Sequence, residues 1–146
     1  MRHEDWDVRL SAFVDGALPH AWGTNDCAMF AAGAVLAMTG VDPAAEWRGS
    51  YATEDDAAAL MDRLGGLDAV CLLKFGEPVP PLCARRGDLL LGFEREVGEH
   101  YLAVCVGAVG VSPGTVWDAD RERGVFALDG LVHRPLSEFK HAYRVD

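Results

Sequence analysis

The residue with the most chemistry in this chain is Cys27, because of what stands on either side of it. A turn-rich segment, Pro19-His20-Ala21-Trp22-Gly23-Thr24-Asn25, runs through Asp26-Cys27 into an apolar stretch that reaches Met38. Asn25 or Asp26 can cap a helix by accepting from its first free N–H groups, which puts Cys27 in the first turn. There the unbonded N–H groups and the positive end of the helix dipole favour a thiolate over a thiol. Such a sulfur is a nucleophile for acyl transfer, with a pKa expected below the free value of about 8.5. The same position also suits a small, half-buried apolar residue, so a helix start alone does not decide between the two.

A cysteine nucleophile needs a base, and the histidines supply few choices. His20 lies close to the cysteine loop and reads as a substitute base or as a rim residue. His100 precedes the apolar run Leu102 to Val106, while His3, His133 and His141 sit in polar stretches and read as surface. Of the other cysteines, Cys71 and Cys105 fall inside apolar patterns and read as core. No C-x-x-C pair and no cysteine–histidine spacing matches a zinc site, so neither metal nor cofactor is expected. Arg86-Gly87-Asp88 spells an adhesion tripeptide but reads as a turn into a strand. Glu54-Asp55-Asp56 reads as helix-start charge rather than as a metal site.

Composition narrows the partners. The 146 residues are half hydrophobic and carry a formal net charge of −10, with mean hydropathy near zero. That is the profile of one ordinary globular domain, able to bury roughly two-thirds of its unfolded surface. The negative charge disfavours nucleic acid and anionic lipid as partners. The charged start, Met1-Arg2-His3-Glu4-Asp5-Trp6, lacks the apolar core of a signal peptide. The longest apolar run, Cys27 to Met38, is too short for membrane insertion. Synthesis in a reducing cytoplasm with free thiols is the simplest expectation.

The elements that must position Cys27 divide the chain into a helical half, about residues 5–76, and a β half, about 82–146. Trp6, Leu10, Phe13, Val14 and Ala17 recur at helical spacing. The run from Asp26 to Met38 is apolar on most faces and predicts a buried helix closed by Gly40. Asp42-Pro43 predicts a short helix over Ala44 to Trp47. Thr53 caps the next helix, which ends at Gly65-Gly66, and Leu67 to Phe75 forms one more. Glu77 to Pro81, with three prolines, reads as a linker. Strands are predicted at Asp88 to Phe93, Tyr101 to Val106, Thr115 to Asp118, Val125 to Leu128, Leu131 to Arg134 and Ala142 to Val145. Short connections pair them antiparallel. The fold class is therefore α+β, with N-terminal helices packed on a small antiparallel β-sheet.

These residues carry a resemblance. Pro-x-x-Trp-Gly followed by Asp26-Cys27, then Arg86-Gly87-Asp88 leading into a strand, a histidine and Leu102-Ala103-Val104-Cys105-Val106-Gly107, resemble the NlpC-type cell-wall peptidases, small papain-like cysteine hydrolases. Trp22-Gly23, Phe30, Gly40-x-Asp42-Pro43, Arg48-Gly49-x-Tyr51, Gly65-Gly66, Arg85-x-Gly87-Asp88 and Tyr143-Arg144-Val145 are similar to a branch met near phage and prophage tail genes. The resemblance runs from about Trp6 to Val145, and implies a single papain-like NlpC-type domain over 1–146.

It also implies a mechanism and a setting. Cys27 is the nucleophile, a histidine is the base, and a polar residue on the next strand orients that histidine. The family's histidine lies six residues before the glycine that closes its strand. Here that position holds Tyr101, with His100 one residue earlier. Strand alternation turns neighbours to opposite faces, and a bulge near Gly98-Glu99 would restore the register. His100 is taken as the base, Asp118 as the orienting group with Asp120 beside it, and Trp22, His20, Asn25 and Tyr101 as cleft residues. Two functions are implied. One is a tail-associated cysteine peptidase or amidase acting on peptidoglycan stem peptides. The other is a catalytically degenerate part of a phage tail tip that keeps the fold. Either way the partners are tail-tip proteins, with peptidoglycan as substrate in the first case. The place is the virion tail, after synthesis in the host cytoplasm.

Overall fold

In a computed structural model describing residues 1–146, the apolar run becomes helix α2 (Cys27–Thr39), bounded by Asp26 and by Gly40 at a φ of 79°. It buries Phe30, Ala31, Ala34, Val35 and Met38 in the main core. Helix α1 (Trp6–Asp15) lies close along it. A Cβ on Gly33 would sit 2.8 Å from the Phe13 ring, so the glycine lets the two helices approach. Helix α3 (Glu54–Leu64) starts at Thr53, whose hydroxyl accepts from the Asp56 N–H at 3.1 Å, and buries only Leu60. Helix α4 (Leu67–Phe75) stops at Gly76.

The helices lie against one face of a six-stranded antiparallel sheet. Its strands are β1 (Leu89–Glu94), β2 (Glu99–Cys105), β3 (Val109–Pro113), β4 (Phe126–Leu128), β5 (Leu131–Pro135) and β6 (His141–Tyr143). Their order is β4-β5-β3-β2-β1-β6. Leu89, Leu91, Leu102, Val104 and Val111 face α2 and share its core. Leu90, Ala103, Cys105 and Ala142 face the other way and are covered by Phe139. A centre covered on both faces reads as a continuous apolar run rather than an alternating one. Each leucine fully buried there contributes about 1.5–3 kcal/mol. One core cluster joins Leu10 to Val145, so both halves of the chain share it.

Three element expectations fail. Ala44 to Trp47 forms turns instead of a helix. Thr115 to Asp118 is a 3-10 turn, Val116–Asp118, capped by Thr115. Strand β3 is missing from the expected set, because Gly107, Gly110 and Pro113 punctuate its sequence as turns do. Gly110 is there for space: a Cβ would lie 2.7 Å from both Leu90 and the Phe139 ring. The expected linker is also tied down, since Val79 and Ala142 exchange backbone hydrogen bonds of 2.8 and 2.9 Å.

Asp88 locks the two chain ends to the sheet. It is 1% exposed and accepts from the backbone N–H groups of Arg85 at 2.9 Å and Val145 at 3.2 Å. Its remaining partners are the guanidinium groups of Arg2 at 3.1 Å and Arg144 at 3.0 Å. The Arg86-Gly87-Asp88 tripeptide is therefore a structural clasp, as are Tyr143-Arg144-Val145.

Candidate active site

Asp26 builds the floor under Cys27. Its buried carboxylate accepts from the N–H groups of Gly23 and Met29, each at 2.9 Å, and from the Tyr51 hydroxyl at 2.6 Å. The first two fix the loop and the helix start; the third ties both to the segment after Arg48. Gly23 has φ +83°, and a Cβ there would fall 1.8 Å from the Tyr51 carbonyl oxygen. A side chain at this point cannot coexist with the loop crossing. Arg48 holds the far end, donating to Asp42 at 2.8 and 3.2 Å. Asp26 thus caps α2 and positions the cysteine, while Tyr51, unassigned from sequence, completes the platform.

Cys27 is half-buried in the first turn of α2. Strands β2 and β3 pair only at Val104↔Val111 and Cys105↔Gly110. The hairpin end adds a Val106 N–H to Val109 carbonyl bond of 3.0 Å, and the backbone N–H groups of Leu102 and Ala28 favour the cysteine's anion. Burial outweighs both: it pushes the thiol up to about 11, with the Asp26 carboxylate adding to the rise and Arg134 opposing it. This overturns the expectation of a lowered pKa. The helix start is present, but the sulfur is partly withdrawn from water and set beside a carboxylate.

His100 reaches the same cleft. A 370 Å³ groove is lined by Cys27, Trp22, Tyr51, His100 and Tyr101, with walls from α3 and the Glu94–Glu99 turn. The register from Leu89↔Val104 to Glu94↔Glu99 is unbroken, so no bulge exists. None is needed, because His100 alternates with Leu102 and Val104 and shares their α2-facing side. Its ring lies 5.0 Å from Phe93, and its Nε2 is buried without a hydrogen-bond partner. Tyr101 faces the opposite side, 5.9 Å from Phe139. The expectation that the one-residue offset turns His100 away from Cys27 is therefore corrected.

The remaining candidates divide. Trp22 lines the groove and His20 packs edge-on against it at 4.7 Å. A second depression on the other side of Cys27 holds His20, Tyr101, Asp118 and two residues that sequence reasoning passed over, Ser112 and Arg134. Asn25 belongs to neither. Its amide donates back to the carbonyl oxygens of Leu18 and Pro19, so it folds the loop. Asp118 does not orient His100: it lies outside the strands and accepts from the Thr115 N–H at 2.9 Å within its own turn. His3, His133 and His141, expected on the surface, are half-buried. His133 stacks on Phe126 at 4.5 Å. No group of three or more metal-ligating side chains is placed to hold a metal ion, and no helix is long and apolar enough to cross a membrane.

A family model described as a domain of unknown function (DUF6950) matches residues 1–145. The chain belongs to that family. Among curated proteins it has no match.

The thiol environments of this DUF6950 protein set an order of reactivity. Cys83 is exposed, Cys71 and Cys105 are buried, and Cys27 lies between. At neutral pH iodoacetamide is expected to label Cys83 first, with Cys27 next and Cys71 last. Since the thiolate reacts, Cys27 labelling should rise about tenfold per pH unit and level off only near 11. Peptide mass mapping across pH reads both. A Cys27 rate that levels off near neutrality would mean a preformed thiolate and would contradict the burial argument.

Proposed function

We propose that this protein is an NlpC-type, papain-like cysteine hydrolase that cleaves amide bonds of peptidoglycan stem peptides as part of a phage or prophage tail. The observation that carries the reading is Cys27 opening a buried helix on a groove that His100 also lines. With the resting thiol protonated, attack on a carbonyl needs a base to take its proton. The imidazole on the α2 side of β2 is the group to do so, tightening onto the sulfur when substrate fills the groove. The free N–H groups at the start of α2 are the donors for the developing oxyanion. The tail setting rests on the sequence resemblance. The net charge of −10 agrees with it, because a polyanionic wall repels a free enzyme of this charge and a tail delivers it.

A specific observation favours a second reading, a tail-tip component that keeps the fold without catalysis. Asp118 is committed to its own turn, and no polar side chain is hydrogen-bonded to His100 Nε2. Incubating the protein with purified peptidoglycan and following newly freed amino groups separates the two. Release that is lost in Cys27→Ala supports the hydrolase. No release, together with stable binding to the neighbouring tail proteins in a pull-down, supports the structural part.

A further inference from the structure

Arg134 stands apart from the chain's other cations near Cys27. It is the only lysine or arginine that lines either side of the cysteine. It sits on β5 opposite Gly110, with its guanidinium 4.7 Å above the Tyr101 ring. One Nη1 hydrogen goes to the Ser112 hydroxyl at 3.2 Å, and Ser112 is itself 3% exposed. Arg2, Arg48, Arg123 and Arg144 all have carboxylate partners in this chain. Arg134 has none, although Asp118 lines the same depression; that carboxylate is held by the Thr115 N–H.

A guanidinium has five donors in a planar fork that matches a carboxylate. Stacking on Tyr101 and bonding to Ser112 fix that plane in advance, so little rotamer freedom remains to be lost on binding. The opposite wall has the reverse character. Glu54, Asp62, Glu94 and Glu99 line the groove on the α3 side of Cys27, where a second carboxylate would be repelled. The site is polarised across the sulfur: carboxylates without a lysine or arginine line one side, and Arg134 with Asp118 lines the other.

We propose that Arg134 is a carboxylate-binding group beside Cys27, selecting substrates that carry a free carboxylate on the Tyr101–Ser112 side of the reacting bond. This deepens the hydrolase reading and rests on it for the words "substrate" and "reacting bond". Binding itself needs only Cys27 and Arg134 to share one depression.

The test therefore avoids turnover. Two alkylating probes of similar size are compared at Cys27, iodoacetate with a carboxylate and iodoacetamide without one, both read on the Cys27 peptide by mass mapping. The ratio of the iodoacetate to the iodoacetamide rate is expected to fall on the order of tenfold in Arg134→Gln, as expected for loss of a charge-assisted hydrogen bond. Arg134→Lys should fall in between. Because both probes attack the same sulfur, a change in its pKa cancels in the ratio. A ratio unchanged in Arg134→Gln overturns the proposal. Should that variant fail to fold, by circular dichroism, the wild-type protein answers the question. An N-acetyl dipeptide with a free C-terminus should protect Cys27 from iodoacetamide, and its C-terminal amide should not; equal protection, or none from either, overturns it. A protein that fails to hydrolyse peptidoglycan yet shows the ratio change would refute the hydrolase and retain the carboxylate site.

Discussion

Asp88→Ala is expected to destabilise the protein by about 3–5 kcal/mol, the range for removing one partner of a buried charge cluster. That is a large part of the roughly 5–15 kcal/mol that holds a domain together. The cost has two sources. Two guanidinium groups, Arg2 and Arg144, lose their counterion while still partly buried. Two backbone N–H groups, of Arg85 and Val145, lose their acceptor. The change also loosens both chain ends, although Arg2 keeps its bonds to the Val145 carbonyl at 2.6 Å and the Arg86 carbonyl at 2.9 Å, and Arg144 keeps its bond to the Cys83 carbonyl at 3.0 Å. Asp88→Asn should cost less, since one amide oxygen still accepts from the backbone. Urea unfolding of the three proteins measures this, and a midpoint for Asp88→Ala equal to wild type would show that the clasp is dispensable.

Which parts of the fold were legible in the sequence depends on whether an element's determinants are local. Periodic helices with caps, Thr53 before α3 and Gly40 after α2, carry their boundaries in local chemistry and fall where expected. Strand β3 does not, because its residues are chosen for the neighbouring layer. Gly110 makes room for Leu90 and Phe139, and a glycine that serves packing is spelled like one that serves a turn. Thr115 to Asp118 fails in the opposite sense. Its valine and tryptophan suggest a strand, yet Thr115 and Asp118 bond each other's backbone in a capping box, a four-residue arrangement that outweighs β-propensity. Ala44 to Trp47 has the helix-start signal at Asp42-Pro43, but the Arg48 guanidinium bonds the Asp42 carboxylate and the segment closes as turns.

The site was legible as positions more than as chemistry. Asp26-Cys27 declared the helix start, yet the pKa of the thiol depends first on burial, which is a tertiary fact. His100 was found in sequence, and its alternation with Leu102 and Val104 gives its side of the sheet once unbroken pairing with β1 rules out a bulge. Arg134 and Ser112 gave no signal at all, since a strand arginine reads as solvated until the fold places it in one depression with Cys27.

The proposed hydrolase reading makes the two histidines beside Cys27 unequal. On that reading, Cys27→Ala is expected to abolish peptidoglycan cleavage, a loss of at least about 10³-fold, because the covalent route would disappear with the proposed nucleophile. His100→Ala is expected to lose on the order of 10²–10⁴-fold, the usual worth of a positioned general base. The loss should be large here because a thiol near 11 holds almost no thiolate at neutral pH without help. His20 lies on the far depression, with its ring packed against Trp22, so His20→Ala should change binding more than turnover. The diagnostic is the split between kcat and KM, with circular dichroism confirming that each variant folds. If His20→Ala loses kcat while His100→Ala keeps it, the base lies on the His20 side, and the buried Nε2 of His100 has no part in the chemistry. If neither matters while Cys27 does, the thiolate must form on substrate binding alone, which the groove's carboxylates oppose and the Leu102 and Ala28 N–H groups, with Arg134 across the sulfur, favour.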